Sequence, residues 1–172
     1  MKRSQLSINK NNGFTLLEVM VVIALMAIMT AFAVPYLSGS QSELLQKEMD
    51  GFQTRVVYAQ TQAILQSQDL GLIVNEEGYQ FVQRVKAKWE VFEEEPLQSH
   101  AVDSSFKHRL LVEDIEVEQE ILDDPELLKP SVLFYSSGEM SAFKYELALS
   151  EQYYLSLEFD PLGESKQVLF SE

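Results

Sequence analysis

The chain has 172 residues, 46% of them hydrophobic, which suits one folded domain with an extension and is too apolar for disorder. Its formal net charge is −14, and residues 1–13 hold three of the 13 basic residues and no acidic one. Residues 14–172 therefore carry 10 basic against 27 acidic residues, a net of −17. Such a body repels phosphate backbones, which argues against nucleic-acid partners, and with no cysteine there is no disulfide or thiolate metal site.

Residues 14–34 form an apolar run of 21 residues behind a basic leader containing Lys2, Arg3 and Lys10. As a helix this run spans about 31 Å, close to the hydrocarbon thickness of a bilayer. Val, Met, Ile, Leu, Ala and Phe surround it, leaving no polar face for water. The leader is basic and Glu43, Glu48 and Asp50 follow the run, so the positive-inside rule puts the N-terminus in the cytoplasm and the remainder outside. One carboxylate, Glu18, lies just inside the run, where a charge costs roughly 2.5–3.5 kcal/mol unless it is paired. A cleaved secretory signal is the rival, since Ala31-Phe32-Ala33 resembles a cleavage site; against it, signal cores are shorter and uncharged.

Pro35 removes one helical hydrogen bond and is expected to bend the helix rather than end it. Beyond it Leu45, Met49, Phe52, Val56, Ala59 and Ala63 recur at spacings of 4, 3, 4, 3 and 4, a single stripe on a helix. That stripe is expected to pack on the chain's own following sheet rather than seam a coiled coil. The pattern fades near Gln66, and Gly71 is a stop signal.

Short strand-like runs follow. Residues 70–74 and 79–85 flank Asn75-Glu76-Glu77-Gly78, read as a hairpin loop with glycine where positive φ is needed. Further strands are expected at 89–92, 106–112, 115–122 (Ile115 inward, Glu116 outward), 132–135, 142–149, 153–159 and 168–170. Turns are expected at Asp123-Asp124-Pro125, Ser136-Ser137-Gly138-Glu139 and Asp160-Pro161-Leu162-Gly163. Many short strands with frequent turns point to a pair of antiparallel sheets, so the class is α+β: a long bent N-terminal helix on a two-sheet β domain.

Gly13-Phe14-Thr15-Leu16-Leu17-Glu18, with the basic leader and the apolar run to Pro35-Tyr36, closely resembles the class III signal of type IV pilins and pseudopilins. The resemblance implies cleavage by a prepilin peptidase between Gly13 and Phe14, and N-methylation of Phe14. It also implies that Glu18 pairs with the N-terminal amine of a neighbouring subunit. More weakly, the β region resembles the H-type minor pseudopilins of type II secretion systems, through Gly71-Leu72-Ile73-Val74, Gly78-Tyr79-Gln80-Phe81 and residues 132–143. Ala142 stands where that group's pattern leads one to expect proline.

The resemblance divides the chain into a leader at 1–13, a membrane and filament-core helix at 14–35, its amphipathic continuation at 36–68 and a periplasmic β domain at 69–172. It implies a non-catalytic, single-pass inner-membrane subunit at or near the tip of a periplasmic pseudopilus. Its partners would be the I-, J- and K-type minor pseudopilins, the major pseudopilin, the peptidase, the assembly platform and secreted substrates. A minor pilin of a type IV pilus is the alternative, and a membrane-anchored β-domain enzyme or carbohydrate binder a more distant one.

No cofactor or metal is expected. His100 and His108 read as chance surface histidines, and Ser136-Ser137-Gly138 lacks a nucleophile elbow. The acidic groups at 93–95, at Glu113, Asp114 and Glu116, and at Asp123, Asp124 and Glu126 lack calcium-loop spacing and read as solvated faces. Trp89 is expected in the core.

Overall fold

The computed structural model describes residues 16–117 and 128–171, with side chains for all of these except 27 and 29–40. The chain divides into two units, residues 1–41 and 42–172, which are taken separately. The first described element, α1 (Leu16–Gln66), stays helical through Pro35 and ends where the stripe fades.

Among the described residues of the second unit α1 is followed by ten strands. These are β1 (Leu70–Asn75), β2 (Gly78–Val85), β3 (Lys88–Val91), β4 (His100–Ala101), β5 (Lys107–Val112), β6 (Ile115–Glu116), β7 (Val132–Phe134), β8 (Phe143–Ser150), β9 (Tyr153–Phe159) and β10 (Ser165–Ser171). They form two five-stranded sheets: β3-β2-β1-β7 with β4 also on β2, and β10-β9-β8-β5-β6. Every pairing is antiparallel.

The stripe on α1 is why the two sheets share a core. Leu45, Met49, Phe52, Val56, Ala59 and Ala63 are all buried, in one cluster with Leu72, Val74 and Phe81 of the first sheet and Phe143, Tyr145, Leu147, Leu155 and Leu157 of the second. Alternation sets the register: Phe143 faces Phe159, Tyr145 faces Leu157 and Leu147 faces Leu155 across β8 and β9. A one-residue slip would turn all six outward. At the centre the Phe52 ring stacks on Tyr145 at 3.9 Å between centroids and meets Tyr79 edge-on at 4.9 Å.

Several expectations need correction. The first hairpin has a two-residue turn at Glu76-Glu77, with Asn75 Oδ1 accepting from the amides of Glu77 and Gly78. Gly78 has the expected positive φ, 159°, and β4 adds a second reason for glycine: a Cβ would lie 2.1 Å from the His100 carbonyl oxygen. Gly138 likewise has a positive φ, 96°. Strand β6 is only two residues long, and Ile115 is 70% exposed rather than inward. The rest of the strand expected to reach residue 122, the Asp123-Asp124-Pro125 turn and the acidic group there lie outside the described residues. Trp89 sits half-exposed against a separate small cluster of Ile73, Val82 and Leu128, not in the main core.

Phe52→Ala should cost about 3–5 kcal/mol, the usual loss for emptying a fully buried aromatic site. Denaturant unfolding of the full-length chain in detergent measures it; a loss below about 1 kcal/mol would contradict the packing described, since that is the scale of a surface change.

Candidate assembly surface

Glu18 lies in the first turn of α1, where the helix dipole favours a carboxylate, and it is exposed. Gly13 and Phe14 lie outside the described residues. Around Glu18, Leu16, Leu17, Val19, Met20, Val21, Val22, Ile23, Leu25, Met26 and Ile28 are all exposed, Leu16 to 82%. Among the described residues no helix is long and apolar enough to cross a membrane. An apolar surface on every side of a helix is not left in water. It has to meet lipid or other protein.

In the second unit α1 carries a further stripe that the sequence reading missed. Thr54, Val57, Tyr58, Thr61, Ile64 and Leu65 are all exposed, Leu65 to 72%, on the side of the helix opposite the core stripe. Thr54 and Thr61 turn their hydroxyls back to the carbonyls of Asp50 and Val57, which hides the polar atoms and presents the methyl groups. Spacings of 3, 1, 3, 3 and 1 carry the signal, which the two threonines among the apolar residues obscure.

Polar side chains tie the flanks of α1 to the sheets. Gln60 Nε2 donates to the carbonyls of Gly138 (2.7 Å) and Leu162 (3.1 Å), and Gln53 Nε2 donates to Ser165 Oγ at 2.8 Å. On the other flank Arg55 donates to the Tyr79 hydroxyl at 3.0 Å and to the Pro96 carbonyl at 3.2 Å. His100 Nε2 lies 2.5 Å from Glu48 Oε1, and His108 Nε2 lies 2.7 Å from the Asn75 carbonyl. Both histidines therefore join elements together and are not chance surface residues.

A cleft of about 310 Å³ opens beside Lys47, Glu48, Arg55, His100 and Asp103. Burial pushes the Tyr79 phenol from 10.0 up to about 12, with the Arg55 charge opposing. Burial likewise holds the Tyr145 phenol well above its ordinary value, and its hydroxyl has no hydrogen-bond partner among the described residues. Among the described residues no three His, Asp or Glu side chains gather as metal ligands.

With a folded value above its unfolded value, the Tyr79 phenol contributes stability that is fully present below about pH 10 and is lost as pH rises through about 12. The difference corresponds to about 3 kcal/mol. Denaturant midpoints followed from neutral pH into that window should fall, and fall less in Tyr79→Phe; identical profiles would contradict the assignment.

Residues 8–34 match the family profile described as the prokaryotic N-terminal methylation motif, which includes Gly13, Phe14 and Glu18. No curated protein matches this sequence. Among solved structures, two of the minor pseudopilin EpsH from the type 2 secretion system of Vibrio cholerae share the fold. One aligns at TM-score 0.56 with 15% identity and the other, a crystal structure, at 0.58 with 16%; each alignment covers 73% of this chain and 96% of the other. The antiparallel two-sheet domain with its N-terminal helix is thus the expected α+β architecture. This chain carries the prokaryotic N-terminal methylation motif and has the fold of the minor pseudopilin EpsH.

Proposed function

We propose that this protein is a minor pseudopilin of a type II protein secretion system, a non-catalytic structural subunit at or near the tip of the periplasmic pseudopilus. One conjunction carries the reading: a methylation motif at 8–34 is joined, through a single helix, to an EpsH-like domain. Residues 1–13 are the leader removed by the prepilin peptidase between Gly13 and Phe14, and the new amine of Phe14 is methylated. Residues 14–35 hold the subunit in the bacterial inner membrane, N-terminus inward, and later pack in the filament. Pro35 bends the helix between its two halves; residues 36–68 support the β domain at 69–172 in the periplasm.

The chemistry supports these roles. A freed amine at Phe14 and the carboxylate of Glu18 are both costly in lipid or an apolar filament core, and joining them between subunits offsets both costs while fixing the axial offset of one helix on the next. The exposed apolar residues from Leu16 to Ile28 supply the packing surface, and the stripe from Val57 to Leu65 offers a second one. Neighbours would be the I-, J- and K-type minor pseudopilins and the major pseudopilin, with the assembly platform and secreted substrates met in passing.

The chain purified from membranes should begin with N-methylated Phe14, and a chain beginning at Val34 would replace this reading with a secretory signal. Glu18→Ala should leave membrane insertion intact, as judged by alkaline carbonate extraction, and reduce secretion to background. Normal secretion in that variant would sink the charge-pair account.

A further inference from the structure

Strand β10 ends the second sheet, with β9 on one side and no described strand on the other. Alternate residues of β10 therefore turn their amide and carbonyl groups away from β9, where no described strand meets them. The strands at the other sheet ends are short: four residues in β3, three in β7 and two in β6. A long edge is normally blunted by proline, a bulge or a charge. From Gln167 to Ser171 this one carries none of these, and Leu169 and Phe170 are 51% and 42% exposed. The strand is also fixed in place: Gln167 Nε2 donates to Gln46 Oε1 of α1 at 3.0 Å, and the Phe170 ring stacks on Tyr154 at 4.5 Å.

The sequence of this edge says what fits it. Set against itself in the antiparallel sense and centred on Leu169, it pairs Leu169 with Leu169, Val168 with Phe170, Gln167 with Ser171 and Lys166 with Glu172. Apolar meets apolar, amide meets hydroxyl and cation meets anion. Each unlike pair occurs twice, because the arrangement is two-fold. Neighbouring registers lack this match. Centring on Val168 sets Glu164 opposite Glu172, and centring on Phe170 sets Val168 opposite Glu172.

We propose that β10 pairs with β10 of a second copy of this chain, joining their two five-stranded sheets edge to edge. The inference goes beyond the filament reading and does not rest on it. The charges of two acidic bodies are screened beyond about 8 Å at physiological salt, so the residues that meet at the edge decide the contact. Two-fold pairing turns one domain end over end relative to the other, whereas the contacts along a filament repeat in one direction. Paired copies are thus held out of the filament. Both N-terminal helices reach one membrane if the chain bends before this unit, where Pro35 and Gly39 stand. Seven residues a side is a small contact beside the roughly 20–30 of a stable interface, so the pairing is reversible and cross-linking is the way to read it.

The chain has no cysteine, so an introduced thiol reports without interference. The test is Leu169→Cys in the full-length chain, expressed without its neighbours, with membranes oxidised by copper phenanthroline and read on a non-reducing gel. Facing residues of an antiparallel pair have Cα atoms about 4.5–5.5 Å apart, within disulfide reach, so this variant should give a linked pair of chains. Val168→Cys alone should not, because in this register Val168 lies diagonal to its own copy at about 7–8 Å; mixed with Phe170→Cys it should. Added to Leu169→Cys, K166E sets like charges opposite each other twice and should lower the yield about fivefold, and K166E/E172K should restore it. No linked pair from Leu169→Cys, equal linkage from Val168→Cys alone, or a K166E loss that E172K does not restore overturns the proposal. Linkage of Leu169→Cys only to other membrane proteins also overturns it. Each of these outcomes leaves the filament reading, which is tested at Phe14 and Glu18, standing.

Discussion

The buried stripe from Leu45 to Ala63 on α1 is the surface around which both sheets close. Its residues are small at one end (Ala59, Ala63) and large in the middle (Phe52), and all are buried. The Phe52 ring fills the gap by stacking on Tyr145 of one sheet while meeting Tyr79 of the other edge-on. Without that layer the sheets would have no common apolar face, because their own hydrogen bonds satisfy strands and not the space between them. The flanking bonds from Gln53, Gln60 and Arg55 then fix the rotation of the helix about its axis. Fixing that rotation fixes which residues point away.

What points away carries the function. One side of the helix is spent on the protein's own fold, so residues Val57, Tyr58, Ile64 and Leu65 remain available to others. In the first unit the described apolar side chains from Leu16 to Ile28 are all exposed. A helix of that kind can trade lipid for protein contacts at little cost, since both are apolar. In the proposed filament the single carboxylate, Glu18, would make one alignment of helices better than its neighbours. The acidic β domain follows the same economy: it folds through apolar burial and leaves its charges to the surface, with Glu146 a buried exception held by Arg109.

Much of this was legible in the chain itself. The motif around Gly13, Phe14 and Glu18 can be read because it depends on residue identity at fixed short spacings. The stripe on α1 can be read because helical periodicity is local. Strand existence was also legible where alternation was strong, as in Phe143, Tyr145 and Leu147. Features set by distant partners were not. Strand β4 is two residues long and exists only because His100 and Ala101 lie against Gly78 and Tyr79. The second need for glycine at position 78, beyond its positive φ, comes from that same approach. Ile115 looked inward by alternation, but β6 lies at a sheet edge too short to cover it. The roles of His100 and His108 depend on Glu48 and Asn75, 52 and 33 residues away.

The central claim is that α1 joins one subunit to the next through the carboxylate of Glu18. Cysteines placed at Leu16 and Met20 of the full-length chain, in cells making the complete filament, test it by disulfide cross-linking between subunits. The account predicts subunit–subunit adducts that disappear when Glu18 is replaced by Ala and membrane insertion is unchanged. Adducts that are absent with Glu18 in place, or that persist undiminished in Glu18→Ala, would contradict it.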